Sequence, residues 1–146
     1  MIKLTRRQTQ RIWLIIAFAF VLLIGNYYPP QNEQPRSLDA PLTAEQLFAD
    51  EQSRVQLQVD GTVIRLLPDR PRHQRFVIEL ESGHTLLIAH NTELAPRIDS
   101  LKPGDSVSIY GRYEWNEEGG VVHWTHHDPA NIHPHGWIRH QGQLYQ

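Results

Sequence analysis

Turn signals constrain this fold more than any other feature of the sequence. Asp60-Gly61, Ser82-Gly83, Lys102-Pro103-Gly104-Asp105 and Gly119-Gly120 cut the stretch beyond residue 53 into strand-length pieces. In the first piece, Arg54 to Leu67, Val55, Leu57 and Val59 alternate with polar residues, the period of a strand with one buried face. Gly61 falls inside that pattern, so a bulge or sharp bend is expected there before Val63, Ile64, Leu66 and Leu67 continue it. Pro68 to Arg72 reads as a loop. A second strand, His73 to Glu81, sends Phe76, Ile78 and Leu80 inward and puts His73, Arg75, Val77 and Glu79 on the other face. The third, His84 to His90, is more uniformly apolar, as suits a central strand. Glu93 to Ile98 reads as a short helix with Pro96 in its first turn. The fourth strand, Ser106 to Trp115, groups Val107, Ile109 and Gly111 on one face, and the fifth runs from Val121 to His127 until Asp128-Pro129 stops it.

A short helix from Thr43 to about Ser53 precedes these strands. Thr43 and Gln46 fit a capping box, and Leu42 is positioned to staple against Leu47. The order of elements predicts a mainly β protein, a small five-stranded OB-like Greek-key barrel with short capping helices. An open β-sandwich is the rival, but it needs more strands than this chain supplies.

The N-terminus carries a different signal. Lys3, Arg6, Arg7 and Arg11 precede an uncharged apolar run from Ile12 to Ile24. Extended through Tyr27 and Tyr28, the run reaches 17 residues, about 25 Å as a helix. This pattern predicts an uncleaved signal anchor over residues 1–28, contacting the membrane through residues 12–28, with its N-terminus in the cytoplasm. Residues 29–42, with Pro29, Pro30, Pro35 and Pro41, read as an extended tether, and residues 43–146 as the domain it carries. A single-span membrane protein with its domain outside the cytoplasm is expected, which in a bacterium means the inner membrane and the periplasm; cleavage would instead release the domain into the periplasm. The four basic residues before position 12 leave 10 of the 14 for the exported part, against all 16 acidic residues, a net charge near −6. That balance opposes nucleic acid as a partner. Cysteine is absent, which excludes disulfides, thiolate metal sites and cysteine nucleophiles.

Six of the nine histidines lie beyond position 120, at His123, His126, His127, His133, His135 and His140. Along a regular strand, Val122, Trp124 and His126 would share one face and His123, Thr125 and His127 the other. Where that strand gives way to a loop, His126, His127, Asp128 and His133 could converge.

Several motifs recur together in an order that resembles the bacterial family described as domain of unknown function 3465. They are His73-Gln74-Arg75-Phe76, Leu86 to Asn91, Leu94 to Ile98, Gly111 to Trp115, Gly119 to Pro129, Gly136-Trp137 and Gly142 to Gln146. The resemblance covers about residues 53 to 146. It implies a small OB-like exported domain of unestablished activity, with His73, His90, His123, His126, His127, Asp128, His133, Trp137 and His140 in the family pattern. The loop Pro68 to Arg72 departs from the more acidic, glycine-containing turn of the family.

Three functions compete on these residues. The leading one is a binding module, rather than an enzyme, that holds a transition metal such as zinc or copper. Its donors would come from His73, His90, His123, His126, His127, Asp128, His133 and His140, since neutral imidazole is a common ligand for such ions. No His-Glu-x-x-His spacing accompanies them, and hydrogen bonding that pins an irregular tail explains the same residues. The second is hydrolysis of a phosphoester, with a histidine and Asp128 as acid and base and Arg75 or Arg97 holding an anion. The third is an oligosaccharide or single-stranded nucleic acid stacked on Tyr110, Tyr113, Trp115 or Trp124, with Asn91 and Trp137 as further contacts. For Trp124, core packing and rim closure compete with that role.

Overall fold

The computed structural model describes residues 42–146; the expected anchor, and the tether up to Pro41, lie outside them. Helix α1, Ala44–Ala49, is started by the capping box read from the sequence: the Gln46 N–H donates to Thr43 Oγ1 and the Thr43 N–H to Gln46 Oε1. Each bond satisfies an amide that the first helical turn leaves without a partner. The helix buries Ala44 and Leu47.

Seven strands follow: β1 Val55–Arg70, β2 His73–Glu79, β3 Thr85–Asn91, β4 Ser106–Glu114, β5 Val121–His123, β6 Trp137–His140 and β7 Gln143–Tyr145. Five of them close a ring in the order β1-β2-β3-β5-β4-β1. The long strand β1 makes closure possible. Its first half, Val55 to Thr62, pairs antiparallel with β4, and from Thr62 onward it pairs antiparallel with β2. β3 and β5 run parallel; the other contacts in the ring are antiparallel. The protein is therefore mainly β, as expected.

Alternation decides what the ring encloses. Leu57, Val59 and Val63 of β1, Phe76 and Ile78 of β2, Leu86 and Ile88 of β3, Val107, Ile109 and Tyr113 of β4 and Val122 of β5 all point inward and are buried. Ala44, Leu47, Ile98, Leu101, Ile138 and Tyr145 complete the core. The expected irregularity in β1 is displaced from Gly61: the register shifts between Val63 and Arg65, and again between Leu67 and Arg70. Residues 68–70 belong to β1, not to a loop.

Three elements differ from the sequence reading. Residues 93–98 form a turn followed by irregular chain, not a helix. The Asn91 carbonyl accepts the amides of Leu94 and Ala95, Pro96 has no amide to give, and the buried Gln74 side chain bonds both the N–H and the carbonyl of Ile98, each at 2.9 Å. Ile98 is thus seated as a plug by a side-chain amide rather than by helical bonds. The fifth strand stops at His123 instead of His127, because Trp124 adopts φ 55° and turns the chain out of the sheet. The C-terminal tail is a hairpin. β6 pairs with the edge of β4 and with β7, and Gln141 and Gly142, at φ 50° and 79°, make a two-residue turn between them.

Gly111 marks a tight crossing inside the ring. A Cβ there would sit 2.5 Å from the His123 carbonyl oxygen and 2.9 Å from the Thr125 and Val122 methyls. Gly111→Ala is expected to destabilise the protein by about 2–3 kcal/mol. A urea midpoint lowered at unchanged slope would show this, and an unchanged midpoint would contradict the packing described.

Candidate functional site

The turn at Trp124 determines where the histidines go. It reverses the alternation, so Thr125 points inward and is fully buried beneath β3. There its hydroxyl meets His90 Nδ1 at 2.8 Å, while His90 Nε2 donates to the Pro96 carbonyl at 3.1 Å. A carbonyl can only accept, so the proton sits on Nε2 and Nδ1 accepts a hydrogen bond from the Thr125 hydroxyl. Burial lowers the pKa of His90, and the neutral imidazole joins β3, the Pro96 segment and the Thr125 segment.

Residues 125–136 then form a loop built around Asp128. Its carboxylate accepts the backbone amides of Ala130 at 3.0 Å, His133 at 2.9 Å and Ile132. Hydrogen bonding from the His133 amide, supported by the other two, holds the Asp128 pKa at about 2. The Gly136 amide donates to the His126 carbonyl at 2.9 Å and closes the base of the loop. The Asp128 amide donates to His135 Nδ1 at 3.0 Å, and the imidazoles of His127 and His135 stack 4.0 Å apart on the exposed side.

Between this loop and the ends of β2 and β3 lies a cleft of about 270 Å³, lined by His73, Asn91, His123, Trp124, His126 and His133 among others. Trp124 forms one wall. His133 stacks on its indole at 4.1 Å, and the Arg112 guanidinium lies 4.2 Å from the indole centre. Arg112 Nε also stands 2.9 Å from Glu114, which lies 3.6 Å from His123 Nε2. Desolvation lowers the pKa of His123, against the opposing pull of Glu114.

Three cleft imidazoles share one arrangement. Nδ1 of His73 faces the Pro71 carbonyl at 3.3 Å, that of His126 the His127 carbonyl at 2.8 Å, and that of His133 the Pro134 carbonyl at 2.8 Å. Each carbonyl demands a proton on Nδ1, so in the neutral form each Nε2 carries a lone pair. The His126 and His133 rings meet edge to face at 5.4 Å. His133 Nε2 is 3.8 Å from Asp128 Oδ2, beyond hydrogen-bond length. Among the described residues, no group of three or more His, Asp or Glu side chains stands in metal-holding geometry.

The other candidates are distributed elsewhere. His90 has both nitrogens engaged inside the protein. His140, the last residue of β6, lies opposite Val107 near the start of β4 and bonds Asp105 at 2.8 Å, whereas His123 lies opposite Arg112 near the other end of β4. Arg75 staples the β1–β2 hairpin through the Pro68 carbonyl, and Arg97 pairs with Asp69 and Asp99. Trp115 locks α1 by donating to the Phe48 carbonyl, and Tyr113 is buried. Tyr110 and Trp137 lie side by side, 6.0 Å apart, across β4 and β6. Sequence reasoning passed over Gln74, Arg112, Glu114 and Thr125, which support the cleft walls; the alternation along β2 and β4 places the first three, and the turn at Trp124, which no local signal announces, places Thr125.

These features define a small ring-sheet β domain with an imidazole-lined cleft. Residues 34–146 match the family described as protein of unknown function DUF3465, and the chain belongs to that family. No curated protein matches the chain.

His90→Leu would leave the Pro96 carbonyl and the Thr125 hydroxyl buried without partners, and a loss of about 2–4 kcal/mol is expected. The same imidazole makes stability depend on pH. Its folded pKa lies below the ordinary 6.5, so the unfolded chain takes up the proton first and stability, full above 6.5, declines as the pH falls below it. Asp128 adds a second decline between 3.8 and about 2. Urea midpoints measured across pH should fall in both windows, and the upper slope should flatten in His90→Leu; an unaltered slope would contradict the neutral, buried imidazole.

Proposed function

We propose that this protein is a membrane-tethered, extracytoplasmic OB-like binding module whose cleft takes a transition-metal ion, zinc or copper. The strand order with parallel β3 and β5 supports the OB-like assignment. The basic flank and apolar run of residues 3–28 support the membrane anchor and periplasmic placement. One observation carries the metal reading: His73, His126 and His133 line a single cleft, and each spends Nδ1 on a backbone carbonyl. Metal-bound histidines commonly donate the other ring N–H in this way, which fixes the tautomer and orients the lone pair. Binding would draw the three Nε2 atoms together by rotation of the side chains, with Asn91 and His123 at the margin of the site. Asp128 would act as the organiser of the loop, because its oxygens already hold three amides.

Titration calorimetry of the full chain in detergent micelles, with zinc and with copper(II), tests this proposal. One ion is expected to bind with Kd below about 10 µM, and His126→Ala should weaken it by about tenfold or more. His127→Ala should leave it unchanged. No binding in that range refutes the metal reading, and loss of binding in His127→Ala alone moves the site to the stacked surface pair. Metal-dependent turnover of a generic phosphodiester, lost in Asp128→Ala, would replace the binding module with a hydrolase.

A further inference from the structure

A second site lies away from the cleft, along an edge of β1. The Val63 amide donates to the Asp105 carbonyl at 2.8 Å, which sets the phase of the β1–β4 ladder. Antiparallel backbone groups alternate in direction, so Val55, Leu57, Val59 and Gly61 turn their N–H and C=O toward β4. Gln56, Gln58, Asp60 and Thr62 turn theirs the opposite way. Thr62 is paired there with Glu79 of β2. β2 then ends, and Leu80 turns back to bond His84. Among the described residues, Gln56, Gln58 and Asp60 have no strand beside them on that edge.

The position β2 vacates is a groove of about 880 Å³, bounded by β1, by Leu80-Glu81-Ser82 and by the start of α1. Val55 and Leu80 give it an apolar lining, and Glu45, Asp60 and Glu81 give it carboxylates. No lysine or arginine is among the described residues that line it. An open edge with main-chain groups in register, an apolar wall and acidic margins accepts one kind of ligand well: an extended peptide whose side chains alternate between apolar and basic.

We infer that this groove binds such a peptide by strand addition to β1, in line with the end of β2. The peptide backbone bonds Gln56, Gln58 and Asp60, its apolar side chains pack on Val55 and Leu80, and its cations face the carboxylates. The site is independent of the metal cleft, and neither reading needs the other.

The probe is a fluorescent, end-capped heptapeptide, Lys-Val-Lys-Leu-Lys-Val-Lys, titrated by anisotropy against the full chain in detergent micelles. Saturable binding is expected, at least about tenfold tighter than that of the matching Glu-Val-Glu-Leu-Glu-Val-Glu peptide. Two versions N-methylated on alternate residues each block one peptide edge, and at least one should lose binding. Gln58→Pro removes an amide that points into the groove and not toward β4, so the protein should fold and lose the peptide. Glu81→Lys should weaken binding about tenfold, and Glu117→Lys, outside the groove, should not. On binding, the amides of Gln56, Gln58 and Asp60 should become protected from deuterium exchange. Absence of saturable binding, equal binding of the acidic peptide, or full binding by both methylated versions overturns the inference. If Gln58→Pro fails to fold, the peptide series, the charge variant and the exchange measurement still decide the matter.

Discussion

Closure of the sheet depends on how one strand shares its two edges. Backbone groups on an antiparallel strand point alternately left and right, so β1 can serve β4 and β2 without competition. It serves β4 from Val55 to Thr62 and β2 from Thr62 onward. That handover lets five strands return on themselves and bury Leu57, Val59, Val63, Phe76 and Ile109 in one interior. Among the described residues it also leaves the first half of β1 without a strand on one side, because β2 begins to pair only at Thr62. The core and the groove therefore have the same origin.

A buried imidazole does similar work for the cleft. His90 sits where an apolar residue would satisfy the alternation of β3, yet its two nitrogens tie together segments that form no regular structure. Gln74 does the same for Ile98 one strand away. Irregular backbone near a core needs partners for its polar groups, and here side chains from the sheet supply them. The loop beyond Trp124 follows the same rule with Asp128 as the acceptor at its centre. Of the imidazoles facing the cleft, those of His73, His126 and His133 are each held by a backbone carbonyl.

Much of the fold could be read along the chain. Thr43 and Gln46 declared the first helix, and Val55-Leu57-Val59, Phe76-Ile78 and Val107-Ile109 declared inward faces, because capping and alternation involve near neighbours. The hairpin of β6 and β7 was also within reach. Trp137 and Ile138, followed by Gln141-Gly142 and Leu144-Tyr145, carry the marks of a two-stranded turn, but the punctuation by Pro134 and Gly136 suggested a tail. Trp124 gave no warning. A bulky residue at positive φ is unfavourable by itself, and this one is held between the sheet and the stacked His133 and Arg112 side chains.

The sequence by itself determined a mainly β domain, the places where most of its strands begin and the faces they bury. Those properties follow from residues a few positions apart. The histidines show what only the tertiary structure decided. His90, His140 and His126 look alike as letters, and each ranked as a ligand candidate. The first is spent inside the core, the second on Asp105, and the third turns toward a cleft. The role of an imidazole is set by which partner reaches each nitrogen: His126 bonds the carbonyl of its neighbour His127, whereas the Thr125 hydroxyl beside His90 and the Asp105 carboxylate beside His140 come from distant parts of the chain that meet only when the ring closes.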